Sequence, residues 1–359
     1  MPTSARCGEA EGGNKMFVKN CWYVCAWSED IGHRQAMART VIGERIVLFR
    51  TSQNKIAAME DRCAHRRMPL SPGRITADDK LICPYHGLTY NEHGACVLVP
   101  GQPSAMGIQL RTYPVEERCG MVWVWMGSPD EADASQIFDC SWLERPGWKR
   151  TNLYRHAKAN YLLLNDNLAD LLHVAYLHIP SGGGNEYMGP AETELKVDGF
   201  GYHFTRQTRN IPPPSGYGRL SNTQTNIDRW HIADFRGPSF YRIDTGVAET
   251  GTGGPDSTLP QGRGKWTIAP HHFVTPETEG TTHYFQVIGH EWQSSSDSWR
   301  FLNSVIDEDV WAIEQQQRNI DDCPDAPTYA IGSDKPMLAM RKIVDGMLAA
   351  EAGRAAKSR

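Results

Sequence analysis

The 359-residue chain contains no apolar run that approaches the roughly 20 residues needed to cross a bilayer, and residues 1–15 lack the apolar core of a signal peptide. We therefore expect a cytoplasmic protein without a membrane partner. Neither sign of charge dominates, because 37 Lys and Arg oppose 42 Asp and Glu and give a formal net charge of -5. This balance offers no electrostatic reason to expect a nucleic-acid partner.

The chain also lacks the signatures of two electron-transfer modules. It has no G-x-G-x-x-G after a strand and no C-x4-C-x2-C ferredoxin pattern, so we expect that it neither binds NADH in the Rossmann manner nor relays electrons from it. Its nine cysteines are an odd number without dense, regular spacing, which indicates reduced thiols rather than a disulfide framework. A redox reaction in this chain would therefore need a separate reductase.

Two pairs of metal-ligand residues stand out between Asp61 and Tyr90. Each pair contributes one thiol and one imidazole, whereas structural zinc sites usually separate a C-x-x-C pair from an H-x-H pair. A [2Fe-2S] cluster of the Rieske kind has two thiolates on one iron and two imidazoles on the other. The predicted cluster ligands are therefore Cys63, His65, Cys83 and His86. A structural zinc site made from the same four residues is the alternative.

A second group of metal-ligand residues lies in or directly after a predicted helix from Tyr161 to Leu177. On a helical wheel, one half of this segment carries no Lys, Arg or Glu and consists of Asp166, Asn167, Asp170, His173 and His178. Non-heme Fe(II) oxygenases bind iron with two His and one carboxylate, and His173 and His178 are the natural pair. Five residues apart, they would lie about 140° apart on an ideal helix, so the helix must unwind or form a π-type turn between them. A structural role for both histidines is the alternative.

The carboxylate of this second site is predicted in a later helix, from Arg300 to Ile320. Three acidic residues follow one another there, but only Asp309 falls at the centre of the apolar stripe, which is formed by Leu302, Val305, Ile306 and Ile313. Asp307 and Glu308 are expected to point away from the stripe. A buried carboxylate costs several kcal/mol unless a cation accompanies it, and we therefore predict that Asp309 is the third iron ligand.

The pattern of apolar runs predicts an α+β chain with two domains. Short apolar runs alternate with turn signals from Asn20 to Met126, which indicates a small antiparallel β domain over residues 16–127. A strand over 148–160, the helix at Tyr161, further strands between Tyr202 and His290 and the helix from Arg300 follow in a second domain, 128–359. Residues 1–15 are predicted to form a disordered tail, and residues 249–264 a long loop or lid.

The motifs C-A-H-R from Cys63 and C-P-Y-H-G-L from Cys83 resemble those of the Rieske non-heme iron oxygenases. The resemblance extends roughly from Met16 to Gln317 and is nearest to the oxygenase (alpha) components of vanillate O-demethylase and toluenesulfonate methyl-monooxygenase. It implies an N-terminal Rieske domain, a catalytic domain with mononuclear Fe(II), and a homotrimer. It also implies that a reductase, with or without a ferredoxin, delivers electrons from NAD(P)H.

The same resemblance implies roles for particular residues. Asp170 would link the two metal centres by hydrogen bonds to His173 and to His86 of a neighbouring subunit, and Asp309 would be the ligand of a Glu-Asp pair. Asn167, which is the second candidate catalytic residue beside Asp170, stands where many relatives have an acidic residue. The sequence His271-His272, followed by T-P-E-T, resembles the demethylase branch and marks two candidate substrate residues.

The implied activity is the O2-dependent hydroxylation or O-demethylation of a small aromatic compound with a methyl or methoxy group. Two alternatives remain at this point. One is a cis-dihydroxylase of aromatic rings, which would use the same two metal centres. The other is a non-enzymatic Rieske electron-transfer protein, which would leave His173, His178 and Asp309 without a purpose.

Overall fold

The computed structural model describes residues 17–144, 146–252, 254, 266–290 and 295–357. The predicted tail, residues 1–15, lies outside these ranges, and so does most of the predicted loop at 249–264. No helix in the described ranges is long and apolar enough to cross a membrane.

The first part of the chain consists of short antiparallel strands, as predicted. They form three small sheets, with the orders β1-β10-β9, β2-β3-β4 and β5-β6-β7-β8. Apolar runs in the sequence account for the longer strands, because β3 and β10 are buried along most of their length. The strands are β1 (Trp22–Trp27), β2 (Ala36–Val41), β3 (Glu44–Arg50), β4 (Ile56–Glu60), β5 (Arg74–Ile75), β6 (Leu81–Ile82), β7 (Thr89–Tyr90), β8 (Cys96–Leu98), β9 (Val115–Arg118) and β10 (Met121–Trp125).

The turn between β7 and β8 shows why the sequence N-E-H-G occurs directly after the second ligand pair. The Asn91 side-chain oxygen accepts hydrogen bonds from the backbone N–H groups of His93 and Ala95 at 3.1 and 2.9 Å. Gly94 has a φ of 78°, and a Cβ atom there would lie 2.7 Å from the Leu110 carbonyl oxygen. Glycine is therefore required at this position of the turn.

The second part of the chain is built on one antiparallel sheet of seven strands. Its order is β11-β17-β16-β15-β14-β13-β12, and the helices α1, α3 and α4 pack against it. The strands are β11 (Lys149–Ala157), β12 (Glu192–Asp198), β13 (Gly201–Ile211), β14 (Ile227–Arg236), β15 (Phe240–Glu249), β16 (Trp266–Thr278) and β17 (Thr281–His290). The helices are α1 (Tyr161–Ala169), α2 (Ser215–Ser221), α3 (Ser296–Asp322) and α4 (Lys335–Lys357).

Helix α1 is shorter than the sequence predicts. It ends at Ala169, and the Asp170 carboxylate accepts a hydrogen bond from the Leu172 N–H at 2.8 Å just beyond the helix end. A single 3-10 turn, His173–Ala175, follows. The chain between the two histidines is not α-helical, as predicted, but the helix already ends before His173, because the Asp170 side chain satisfies a backbone donor that a continuing helix would have used.

Helix α3 is confirmed and extends beyond its predicted bounds, by four residues at its start and two at its end. Ser295 caps its first turn by accepting a hydrogen bond from the Ser298 N–H at 3.1 Å. Ile306, Asp309 and Ile313 are all buried, which places Asp309 on the face that packs into the protein.

Asp166 of α1 does not take part in the second candidate site. It forms an ion pair with Arg341 of α4, in which Arg341 Nε and Asp166 Oδ1 are 2.8 Å apart.

The two parts of the chain are joined by direct contacts along β16. The Thr275 hydroxyl donates to the Val24 carbonyl at 2.6 Å, and the Ile42 N–H donates to the Pro276 carbonyl at 2.7 Å. One hydrophobic core extends across both parts. These contacts hold the β1–β10 region against the large sheet.

Candidate metal centres

The first candidate site is formed by two loops of the same shape. In one, the Cys63 N–H donates to the Met68 carbonyl, and in the other the Cys83 N–H donates to the Leu88 carbonyl, both at 2.8 Å. Each loop turns through a residue with positive φ, Arg67 at 58° and Gly87 at 76°. The repeated geometry presents a cysteine and then a histidine from each loop.

The four predicted cluster ligands lie together, with like donors paired. The His65 and His86 rings are 4.6 Å apart between centroids, and the Cys63 and Cys83 thiols are hydrogen-bonding neighbours. Both thiols are buried, whereas both imidazoles are exposed. The Tyr90 hydroxyl lies 3.3 Å from the Cys63 sulfur. Two inner sulfurs and two outer nitrogens match the two unlike irons of a Rieske cluster, so the donor set fits that group.

The second candidate site brings together residues that are more than 130 positions apart. His173 Nε2 and His178 Nε2 lie 3.4 and 3.3 Å from the Asp309 carboxylate oxygen. One donor atom from each residue lies within 4.8 Å of the others. Two donors bound at about 2.1 Å to one ion and at right angles would be about 3 Å apart. The set of two imidazoles and one carboxylate therefore fits a mononuclear iron.

Hydrogen bonds on the far side of each imidazole orient it. His178 Nδ1 donates to Glu308 at 2.8 Å, and His173 Nδ1 contacts the Asp170 main-chain carbonyl. With the proton on Nδ1, each ring directs Nε2 toward Asp309. For Asp170 this differs from the expected contact, because the carbonyl and not the carboxylate meets His173.

Glu308 is the residue of this site that the helical wheel misplaced. It was expected to point away from the buried stripe, but its carboxylate reaches His178 and also accepts the N–H and the hydroxyl of Ser181, both at 2.8 Å. A long side chain one position from the stripe can bend back onto it. Asp307 does point away, as expected, and pairs with Arg155 at the surface at 2.6 Å.

The electrostatics of the second site favour a cation. Burial raises the pKa of Asp309, but His178 and His173 outweigh it and hold the pKa far below its ordinary value. Burial lowers the pKa of His178, but Asp309 and Glu308 outweigh it and raise the pKa to about 9. Without a metal, the His178 ring is therefore protonated on both nitrogens at neutral pH and lies next to the ionised Asp309 carboxylate. A divalent metal replaces such a proton when it binds an imidazole.

A cavity of about 90 Å³ opens onto His173, His178 and Asp309. Asn167 lines it and donates to the Asp309 carboxylate at 3.2 Å. Of the two candidate substrate histidines, His272 lines the cavity, while His271 packs on the other side of β16, near Phe138. Successive residues of a strand face opposite sides of the sheet, so only one of the pair can face the cavity.

Comparison with known proteins identifies this combination of sites. Residues 21–114 match the Rieske [2Fe-2S] domain, and residues 157–350 match the vanillate O-demethylase oxygenase C-terminal domain. The toluene-4-sulfonate monooxygenase system iron-sulfur subunit TsaM1 of Comamonas testosteroni is 34% identical over 94% of this chain and 99% of its own length. The chain belongs to the Rieske oxygenase family.

Two further relatives support this assignment. The vanillate O-demethylase oxygenase subunit of a Pseudomonas species (strain HR199 / DSM 7063) is 32% identical over 94% of this chain and 96% of its own length. A crystal structure of dicamba monooxygenase bound to 3,6-dichlorosalicylic acid has a TM-score of 0.84 at 27% identity and covers 94% of this chain and 99% of that one. The predicted family, α+β fold and enzyme class are thereby confirmed.

This Rieske oxygenase is therefore the oxygenase component of a multicomponent monooxygenase that uses dioxygen, with a Rieske [2Fe-2S] cluster and a mononuclear iron as cofactors. Electrons reach such components from separate redox proteins.

Sequence reasoning missed two polar residues of the cavity wall, Arg229 and His231 on β14. The sequence does contain a signal for them. They take alternate places in the series Ile227, Arg229, His231, Ala233 and Phe235, which is otherwise apolar. A charged residue within an otherwise apolar strand face indicates a buried charge, and such a residue is a candidate functional residue.

Proposed function

We propose that this oxygenase component hydroxylates the methyl or methoxy carbon of a small aromatic substrate, and that a methoxy substrate is thereby O-demethylated with release of formaldehyde. The observation that carries the proposal is the cavity at His173, His178 and Asp309. Its remaining wall is mainly apolar and includes Leu168, Leu171, Val174, Ile243, Ile268 and Ile288. An apolar wall with a few convergent polar groups suits an aromatic ring.

The small size of the cavity argues against a substrate with more than one ring. At about 90 Å³ it is smaller than the roughly 150 Å³ engineered cavity that accepts benzene, so even one ring requires the wall to open. Relatives in this branch are named for vanillate, toluene-4-sulfonate and dicamba, which are single-ring aromatics with a methyl or methoxy group. The ring of such a compound would pack against the apolar wall, and its methyl or methoxy carbon would face the three metal-site residues that line the same cavity.

The roles proposed for the site residues follow from their contacts. Cys63, His65, Cys83 and His86 would hold the cluster, and His173, His178 and Asp309 would hold the iron. When bound, these two groups supply electron storage and dioxygen activation. The chain itself supplies the orientation: Asn167 donates to the Asp309 carboxylate, and His272 is a wall residue of the cavity.

The same proposal includes a homotrimer, in which the exposed imidazole edge at His86 meets the Asp170 region of a neighbouring subunit. The Asp170 carboxylate would then accept a hydrogen bond across that boundary while its carbonyl holds His173. Electrons would come from NAD(P)H through a reductase, with or without a ferredoxin, that docks near the cluster loops.

The proposal also includes the limits of the two domains, with the Rieske domain at 16–127 and the catalytic domain at 128–359.

The test is the reaction of purified protein with NADH, a surrogate reductase and oxygen. Aromatic methyl ethers such as 4-methoxybenzoate should release one formaldehyde for each oxygen consumed, and aromatic methyl compounds such as toluene-4-sulfonate should give the benzylic alcohol. Asp309→Ala, which removes a proposed iron ligand, is the negative control. A ring cis-diol as the main product, or cluster reduction without formaldehyde or alcohol from any of these compounds, would contradict the proposal.

A further inference from the structure

An arginine is buried in the wall of the cavity that contains the metal-site residues. Arg229 is only 2% exposed. Its Nε and Nη1 atoms have no hydrogen-bond partner within the described part of the chain, and none of the ion pairs found there includes it. A buried guanidinium with unused donors is costly unless an anion accompanies it.

The geometry of β14 aims this side chain at the cavity. Arg229 pairs with Val247 of β15, and His231 pairs with Thr245. Residues two apart on a strand share a face, and His231, Thr245 and Ile243 line the cavity together with Arg229. The guanidinium is therefore held on the cavity side of the sheet by the strand itself.

The neighbours of the guanidinium position it without neutralising it. Its Nη2 atom lies 3.2 Å from His231 Nε2, and its central carbon lies 3.8 Å from the centre of the Tyr217 ring. The adjacent carboxylate, Asp228, is already engaged by the backbone N–H groups of Asn210 and Gly251, at 2.9 and 3.1 Å. The contacts with His231 and Tyr217 therefore do not neutralise the positive charge of Arg229.

Arg206 is a second buried cation near Arg229, and His231 is the neutral neighbour of both. Burial lowers the pKa of Arg206 to about 10, and the charge of Arg229 contributes to this shift. Burial, Arg229 and Arg206 hold the pKa of His231 well below its ordinary value, with smaller effects from His173 and His178. His231 is therefore neutral. Because it accepts from Arg229 at Nε2, its proton lies on Nδ1, where it provides one more donor.

We propose that Arg229, held by Tyr217 and His231, binds an anionic substituent of the aromatic substrate and makes this oxygenase selective for aromatic carboxylates or sulfonates. The inference rests on the proposed function, because it names the substrate class of the same cavity. A guanidinium binds planar carboxylate oxygens through two parallel N–H donors and binds sulfonate oxygens by the same fork. Anchoring the anion fixes the ring, so the methyl or methoxy carbon is held in one position relative to the metal site.

The wild-type protein alone provides the first test. Two matched pairs differ only in charge: 4-methoxybenzoate with 4-methoxybenzamide, and toluene-4-sulfonate with toluene-4-sulfonamide. Binding is measured by calorimetry without oxygen, so no turnover is needed. At least one anion should bind on the order of 100-fold more tightly than its neutral partner, as expected for a buried charge that gains its counter-charge. The pair that shows the preference identifies carboxylate or sulfonate as the anion. Equal binding, or no binding, in both pairs would overturn the proposal.

The second test compares Arg229→Met with Arg209→Met. Both remove one positive charge, but Arg209 lies on the neighbouring strand β13 and is exposed. Arg229→Met should reduce the preference for the anion to within about threefold, whereas Arg209→Met should keep the wild-type preference. Visible absorption of the cluster and iron content should stay unchanged in both. An Arg229→Met protein that is folded, contains both metals and still prefers the anion would refute the anchor.

The two hypotheses fail in different ways. If the anions bind through Arg229 but no compound releases formaldehyde or gives a benzylic alcohol, the proposed reaction is wrong and the anchor stands. If neutral and anionic compounds react and bind equally well, the reaction stands and the anchor is wrong.

Discussion

Glu308→Gln tests whether the carboxylate behind His178 tunes the metal site. In the structure this carboxylate accepts three hydrogen bonds, from His178 Nδ1 and from the N–H and hydroxyl of Ser181, each at 2.8 Å. A glutamine keeps the shape, and its side-chain oxygen can still accept from His178 and from the Ser181 hydroxyl, but it loses the charge and its NH2 group then faces the Ser181 N–H, which is another donor. His178 is therefore held less firmly and becomes a weaker ligand.

The expected loss can be stated as an affinity. Removing a carboxylate that holds a metal-bound histidine typically lowers metal affinity by about 10- to 100-fold, which corresponds to about 1.4–2.7 kcal/mol. Fe(II) dissociation constants should be measured by anaerobic titration against a chelator of known affinity. Cluster absorption, recorded on the same samples, should not change, because Glu308 contacts none of the cluster ligands.

Asp307→Asn is the matched control, since it removes one charge from the preceding residue of the same helix. Asp307 is 60% exposed in its side chain and pairs with Arg155 at the surface, so its loss should leave iron affinity within about twofold of wild type. The reasoning is refuted if Glu308→Gln binds iron as tightly as wild type, or if Asp307→Asn weakens binding equally.

Two further predictions follow from other groups. Asp170→Asn should retain both metals and the fold, because an amide oxygen can still accept from the Leu172 N–H, yet it should slow oxidation of the pre-reduced cluster by oxygen in the presence of substrate. The oxidation rate is measured by rapid-mixing spectroscopy, and oxidation of the cluster at the wild-type rate would contradict the linking role of Asp170. Burial lowers the pKa of His272 to about 3 and that of His283 to about 4. The contribution of each neutral histidine to the stability of the folded protein is therefore complete above about pH 6.5. Below that pH the free energy of unfolding declines by up to about 1.4 kcal/mol per pH unit for each histidine, until the pH reaches its pKa in the folded protein. Urea unfolding at pH 7 and pH 5 should show this decline, and equal stability at both would refute it.

Much of the fold, and the residues that the structure brings together at the two candidate metal centres, could be predicted because local patterns encode them. Mixed Cys-His pairs indicated the cluster ligands, and the strand runs and the helix around Asp309 were recovered from apolar periodicity. The wheel placed Asp309 correctly because it lies at the centre of the stripe. It misplaced Glu308 because a wheel records the direction of the Cα–Cβ bond and not how far a long side chain bends.

The sequence by itself determined the kinds of ligand, their spacing along the chain and the period of each strand and helix, because these properties depend on neighbours within a few residues. Only the tertiary structure decided which distant residues meet. The end of α1 at Asp170, the choice of His272 over His271 and the burial of Arg229 depend on the order of strands in the seven-stranded sheet and on which of its faces the helices cover. An arginine in a strand has the same local pattern whether it faces water or a cavity. Arg229 is buried because the tertiary structure places the Tyr217 ring over its guanidinium and encloses it in the cavity wall.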